Sequence, residues 1–214
     1  MTEQIEKLIN ALEKNNIQAF YAENREEARK MTEALLPKGG VVTHGGSMTL
    51  QACGITELLK NGDYEYLDRS AEGLTREQVE DIYRRAFFAD AYVTSANAVT
   101  MDGLIYNVDG NSNRVAAILY GPKSVIFIVG VNKIVENLEQ AIERVRATAA
   151  PQNAMRLNCS TYCKEKGHCV SKEGAPMGEG CGSDGRICCN YVVSAMQRHK
   201  NRMKVILVNE ELGY

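Results

Sequence analysis

Apolar positions recur along this chain at two periods that take turns. Ile5, Leu8, Ile9 and Leu12 fall at i, i+3, i+4 and i+7, which predicts an opening amphipathic helix. A short strand over Gln18–Tyr21 follows, then a helix that starts at Glu23-Asn24-Arg25 and stops before Pro37 and the Gly39-Gly40 pair. Val41–Thr43 reads as a strand that His44–Leu50 turns into a helix, with a break and restart at Gly54. Tyr64–Leu67 is expected to be a strand, and Thr75–Phe88 a helix capped by Thr75 with Gln78 three residues on.

The apolar runs Ala91–Thr94 and Val125–Val129 are short, β-branched and bounded by turn residues, as buried strands are. Between them, Asp102-Gly103 separates Ala98–Thr100 from Leu104–Tyr106, a strong hairpin signal, and a helix is expected over Asn113–Tyr120. Asn137–Ala149 has helical periodicity and is expected to close at Pro151. Tyr191–Lys200 is expected to be helical, and Val205–Val208 a strand that rejoins the sheet. Strands alternating with helices predict one α/β domain over residues 1–214: an open, mostly parallel sheet with helices on both faces. Residues 151–190, rich in Cys, Gly, Ser and Lys, read as a Cys-rich loop insertion near the C-terminus, with 191–214 returning to the core.

Charge narrows the classes of partner. With 25 Lys+Arg against 27 Asp+Glu the net charge is -2, and no basic stripe gives nucleic-acid binding an electrostatic footing. The apolar runs are too short to cross a bilayer, and the opening MTEQIEKLINALEKN is unlike a signal peptide, so no membrane partner and a cytoplasmic location are expected. Of 7 cysteines, Cys53 stands alone as a core residue and six fall between Cys159 and Cys189. In such a chain metal binding is a better expectation than disulfides. The spacing Cys159-x3-Cys163-x5-Cys169-x11-Cys181-x6-Cys188-Cys189, with glycines easing the turns, suits zinc or an iron–sulfur cluster. A loop of reduced thiols is the plainer alternative.

Two stretches are candidates for a ligand site. Gly45 and Gly46 follow a strand and precede the hydroxyls of Ser47 and Thr49 near a helix start, where an anion is favoured. The loop is neither a Walker loop nor a G-x-G-x-x-G fingerprint, so no nucleotide cofactor is indicated. A tight βα turn capped by Ser47 or Thr49 is the simpler account. The second stretch, Ala89–Lys133, carries Ser95, Asn97, Asp102, Asn107, Asp109, Asn113 and Arg114 at what should be carboxyl ends of strands. Arg114 has the chemistry to hold a carboxylate or phosphate bidentately, whereas the Asn and Asp residues also serve turn backbone. His44 is a lesser acid–base candidate, with turn capping as its ordinary role.

The segments GGSMTL, SANAVTMDGLIYNVDGNSNRVAA, YGPKSVIFIVGVNK and APQNAMRLN resemble the LUD-domain family, which includes the lactate-utilization proteins, over nearly the whole chain. The resemblance implies a fold of the NagB/RpiA/CoA-transferase-like kind. It implies a component of L-lactate oxidation to pyruvate that works with iron–sulfur partner proteins and binds a small anionic metabolite. The family's Cys-bearing tail is matched at Cys163, Lys166–Cys169, Cys181 and Arg186–Cys188, making Cys163, Cys169, Cys181 and Cys188 the expected metal ligands. The chain departs from that tail by an insertion after Cys169 and by the doubled Cys188-Cys189. The rival readings are a sugar-phosphate isomerase or CoA-transferase-like enzyme, or a non-catalytic, metal-bearing electron-transfer or scaffold subunit. A CoA transferase wants a Glu nucleophile, and neither candidate stretch contains one.

Overall fold

The computed structural model describes residues 1–214, whose ten strands form two sheets. The strands are β1 (Gln18–Ala22), β2 (Val41–His44), β3 (Glu65–Tyr66), β4 (Ala91–Thr94), β5 (Ala98–Thr100), β6 (Ile105–Asp109), β7 (Ser124–Gly130), β8 (Ile134–Val135), β9 (Asn190–Ser194) and β10 (Met203–Val208). Six make a parallel sheet in the order β1-β10-β7-β4-β2-β3. The helices are α1 (Glu3–Lys14), α2 (Arg25–Leu35), α3 (Met48–Ala52), α4 (Ile55–Asn61), α5 (Arg76–Arg85), α6 (Asn113–Leu119), α7 (Leu138–Arg144), α8 (Ala150–Arg156) and α9 (Tyr162–Lys166).

Period-two alternation in the central strands sends apolar side chains to both faces. Val125, Phe127, Val129, Val205 and Leu207 pack with Leu8 and Leu12 of α1 and Ile118 of α6. Ile126, Ile128, Ile206 and Val208 pack on the other side with Leu50, Leu58 and Leu59 of α3 and α4. This is why β7 and β10 read as unbroken apolar runs: a parallel strand covered on both faces has no polar side. Thr75 and Gln78 form the expected capping box at the start of α5. No helix is long and apolar enough to cross a membrane.

The second sheet, in the order β8-β5-β6-β9, is built on the Asp102-Gly103 hairpin. Ala98 pairs with Tyr106 and Val99 with Ile105, and Gly103 turns the chain at φ +84°. Here two expectations are corrected. The helix expected over Tyr191–Lys200 is instead strand β9, antiparallel to β6 with Asn190 opposite Asp109, followed by turns. The aromatic and β-branched run Tyr191-Val192-Val193 suits a pleated surface, and the free edge of β6 supplies its ladder. The helix from Leu138 also does not close at Pro151. It widens into a π turn over Val145–Ala149 and continues as α8 to Arg156. Proline lacks an N–H and crowds the carbonyl four residues back, and both demands are relaxed where the ladder is already interrupted. The irregular Cys-rich segment therefore begins at Leu157.

Candidate functional site

Strands β7, β4 and β2 lie side by side, and the chain leaves their carboxyl ends into Val131–Lys133, Ser95–Asn97 and Gly45–Ser47. These three exits meet around a cavity of about 400 Å³. Its wall includes Gly46, Ser47, Ser95, Asn97, Asp109, Asn113 and Arg114, all expected from the sequence. An open parallel sheet concentrates ligand sites at this end because loops there diverge while the strands hold their roots rigid.

The remaining expected residues sit behind the wall or away from it. A Cβ on Gly45 would come 3.1 Å from Arg114 Cδ, Thr94 Oγ1 and the Tyr92 hydroxyl, so close packing favours glycine there. Thr49 is buried below the cavity, where its hydroxyl donates to the Leu212 carbonyl at 2.9 Å. Asn107 is fully buried, and its Oδ1 accepts from Arg114 Nη1 at 2.7 Å. Asp102 is remote: its carboxylate accepts from the Thr100 hydroxyl, and its carbonyl accepts from Asn15 Nδ2 at 3.2 Å. It fastens the hairpin to the end of α1, the Asx role of a turn residue.

Arg114, on the first turn of α6, is a brace. Its Nη1 donates to the Ser95 carbonyl at 3.1 Å as well as to Asn107, while Nη2 donates to Asn97 Oδ1 at 2.9 Å and the Val108 carbonyl at 2.8 Å. Asp109 lies 3.7 Å from its Nε and accepts the backbone N–H groups of Arg114 and Val115, both at 3.2 Å. The guanidinium thus spends its fork on the protein, fixing Ser95, Asn97 and the end of β6 in one arrangement. The expected bidentate anion clamp is committed elsewhere.

Sequence reasoning missed four cations of the wall, Lys133, Arg69, Arg156 and Arg186, of which the first two are the most telling. Lys133, only 3% exposed, donates from Nζ to Thr49 Oγ1 at 2.8 Å and to Ser95 Oγ at 3.1 Å. Burial, reinforced by the positive charges of Arg144 and Arg114, brings its pKa down to about 7. Its place just past the carboxyl end of a central strand was the available signal. Arg69 reaches the cavity from the loop after β3, with its guanidinium 4.9 Å from the centre of the Tyr83 ring and beside Gly46. No local pattern marks it. His44 is buried against Tyr66, ring centres 5.9 Å apart, with Nδ1 2.8 Å from the Gly45 carbonyl. Burial holds its pKa below the ordinary value, so at neutral pH Nδ1–H is the donor and the imidazole serves the turn.

The tail cysteines converge separately. Cys163, Cys169, Cys181 and Cys188 all line a small cavity of about 30 Å³, walled by Tyr106, Val145 and Met177. Burial and the neighbouring Cys163 and Cys169 push the Cys188 thiol up to about 12. At Cys181 burial acts upward but is outweighed by hydrogen bonds from the Ser183 hydroxyl and backbone, leaving that thiol below its usual value. All seven cysteines are free thiols, and no three His, Cys, Asp or Glu side chains are grouped to hold one ion. The donor type fits a thiophilic metal, whereas the spacing is not a ready-made coordination sphere. The loop is ordered by arginines. Arg186 donates to the carbonyls of Gly178, Cys181 and Cys188, and Arg146 to those of Ala175 and Pro176.

A six-stranded parallel sheet between helices, with a polar cavity at the strands' carboxyl ends, defines an α/β protein of the open-sheet class. Within that class the family is specific: the LUD domain matches residues 5–208, and the chain belongs to the LUD-domain family. It is similar in fold to the crystal structure of a DUF162 family protein from Deinococcus radiodurans, with a TM-score of 0.52 and 15% identity over 96% of each chain. No curated protein matches the sequence.

Proposed function

We propose that the protein binds a small organic anion in this cavity, a hydroxy acid, keto acid or phosphorylated metabolite, as a component of lactate-type oxidation alongside iron–sulfur proteins. One observation carries the binding: in a chain of net charge -2, the cavity wall presents Arg69, Arg114, Lys133, Arg156 and Arg186 against only Asp109 and Asp184. Asp109 and Arg114 offset each other, which leaves Arg69, Arg156 and Arg186, with a half-protonated Lys133, against Asp184. Low-dielectric walls lined by one sign of charge concentrate the opposite ion. The volume suits a metabolite of a few carbons rather than a macromolecule. The assignment to lactate oxidation rests on the resemblance to lactate-utilization members of the family. A CoA-transferase reading has no Glu in the wall to act as nucleophile.

Titration calorimetry with L-lactate, pyruvate and a sugar phosphate tests the reading. Binding of at least one is expected, and Arg69→Ala should weaken it by roughly ten- to a hundredfold, the worth of a hydrogen bond to a charged group. Heat of binding from none of the three would overturn it.

Four thiols line one small cavity, although no three are yet grouped to hold an ion, and their donor chemistry favours a second reading. We infer that these cysteines take up zinc or an iron–sulfur cluster, drawing the sulfurs together as it binds. A structural zinc contributes on the order of 10–16 kcal/mol, ample to contract a loop. Anaerobic purification with elemental analysis decides: bound zinc or iron supports the site, and protein free of both removes it.

A further inference from the structure

We propose that Lys133 is a carbonyl-capturing amine, and that the cavity's ligand is a small anion bearing an aldehyde or ketone to which this nitrogen adds. The inference rests on the anion-binding reading above and names the substrate class for it.

A lysine buried for structural reasons keeps its charge by pairing with a carboxylate, because an isolated ammonium is costly to bury. Lys133 has no such partner. Its nitrogen meets only the hydroxyls of Thr49 and Ser95, and the guanidiniums of Arg144 on α7 and Arg114 on α6 act against its charge, opposed only by the Cys53 thiol. Those hydroxyls take two of the three positions on the nitrogen, and the residue lines the cavity. At about pH 7 the amine is half in its free-base form, on the order of a thousandfold more than an ordinary lysine whose pKa is about 10.4. Desolvation is also how enzymes prepare a lysine for addition to a carbonyl.

The chemistry balances without an oxidant. The nitrogen lone pair forms a C–N bond to the carbonyl carbon as the C=O π pair moves to oxygen, which takes a proton. That proton comes from the nitrogen itself, relayed through the Ser95 hydroxyl, which passes on one proton as it accepts another. The single further proton that the net reaction consumes comes from solvent. The carbinolamine oxygen then takes a further proton and leaves as water, giving a protonated imine. The net change is amine plus carbonyl plus one proton to iminium plus water. Arg69 and Arg156, which also line the cavity, would hold the ligand's carboxylate or phosphate.

The test uses full-length protein with glyoxylate, or with glycolaldehyde phosphate, followed by borohydride, which delivers hydride to an imine and fixes it as a secondary amine. Peptide mass mapping should place the reduced adduct on Lys133, with the labelling rate rising through about pH 7. Lys133→Arg and Lys133→Gln should lose that adduct while their calorimetric binding or thermal unfolding shows a folded protein. Binding of either probe with no adduct on Lys133 overturns the amine role and leaves anion binding standing. Neither binding nor labelling overturns both. Equal labelling of surface lysines in the wild type and both variants also overturns it.

Discussion

At the scale of single residues, the arrangement turns on two buried cations with opposite surroundings. Arg114 is surrounded by acceptors and remains a charged brace, whereas Lys133 is surrounded by hydroxyls and other cations and approaches neutrality. That difference has a thermodynamic sign. The folded-state pKa of Lys133, about 7, lies below the ordinary value it regains on unfolding. Between those two values the unfolded chain holds a proton that the folded chain lacks, so this group makes stability rise with pH, by about 1.4 kcal/mol per unit within the window. Below it both states are protonated, and the cost of the buried charge is present in full. Lys133→Met removes the term. Urea denaturation at pH 7, 8 and 9 should find the variant's stability advantage shrinking steadily as pH rises. A constant difference between the two proteins would contradict a depressed lysine. None of this is visible in a sequence window, because Lys133 acquires its partners from residues 84 and 38 positions away.

At the scale of elements, the Asp102-Gly103 hairpin separates what looks functional from what is structural. It lies within the most polar stretch of the chain, yet it docks on α1 rather than on the cavity. A Cβ on Gly103 would sit 2.8 Å from the Ala11 carbonyl carbon, in a backbone conformation with φ +84°. Gly103→Ala should therefore cost about 2–4 kcal/mol, from the left-handed backbone and the overlap together. Asp102→Asn and Gly103→Ala should both leave anion affinity unchanged in calorimetry. A loss of affinity in either would place the turn back in the site. The hairpin, the capping box at α5 and the central strands were legible because each is written in contiguous residues. The cationic wall was not, since Arg69, Lys133, Arg156 and Arg186 come from four separate segments. Strand β9 was misread for a related reason. A long window over Tyr191–Lys200 has a helical look, and the partner that makes its first half a strand lies on β6, some eighty residues earlier. Cys163, Cys169, Cys181 and Cys188, expected as metal ligands from their spacing, line one cavity but are not grouped around a single point, because spacing along a loop does not fix where its side chains meet.

At the scale of the molecule, the last strand in the chain occupies an interior place in the sheet. β10 pairs with β1 on one side over five residues and with β7 on the other over six, although the irregular Cys-rich loop separates it from everything before Arg156. Val205, Ile206, Leu207 and Val208 are each fully buried. Four such side chains contribute about 1.5–3 kcal/mol apiece, comparable to the whole net stability of a domain at about 5–15 kcal/mol. Covalent continuity through the loop matters far less, because closing even a long loop costs little more than closing a short one. Two cuts should then behave oppositely. A chain ended at Lys200 lacks β10, leaves the inner edges of β1 and β7 unpaired and should show no cooperative unfolding transition. A chain cleaved at a protease site inserted between Glu173 and Gly174 should keep both fragments together. Gly174 is exposed, at φ +74°, with open space around it, and its N–H makes only a long hydrogen bond to Glu143 Oε1 at 3.4 Å, so cleavage there disturbs little packing. The nicked protein should elute from a sizing column as one species and separate only in denaturant. Fragments that part under native conditions would mean that the loop, rather than the sheet, holds the C-terminal segment in place.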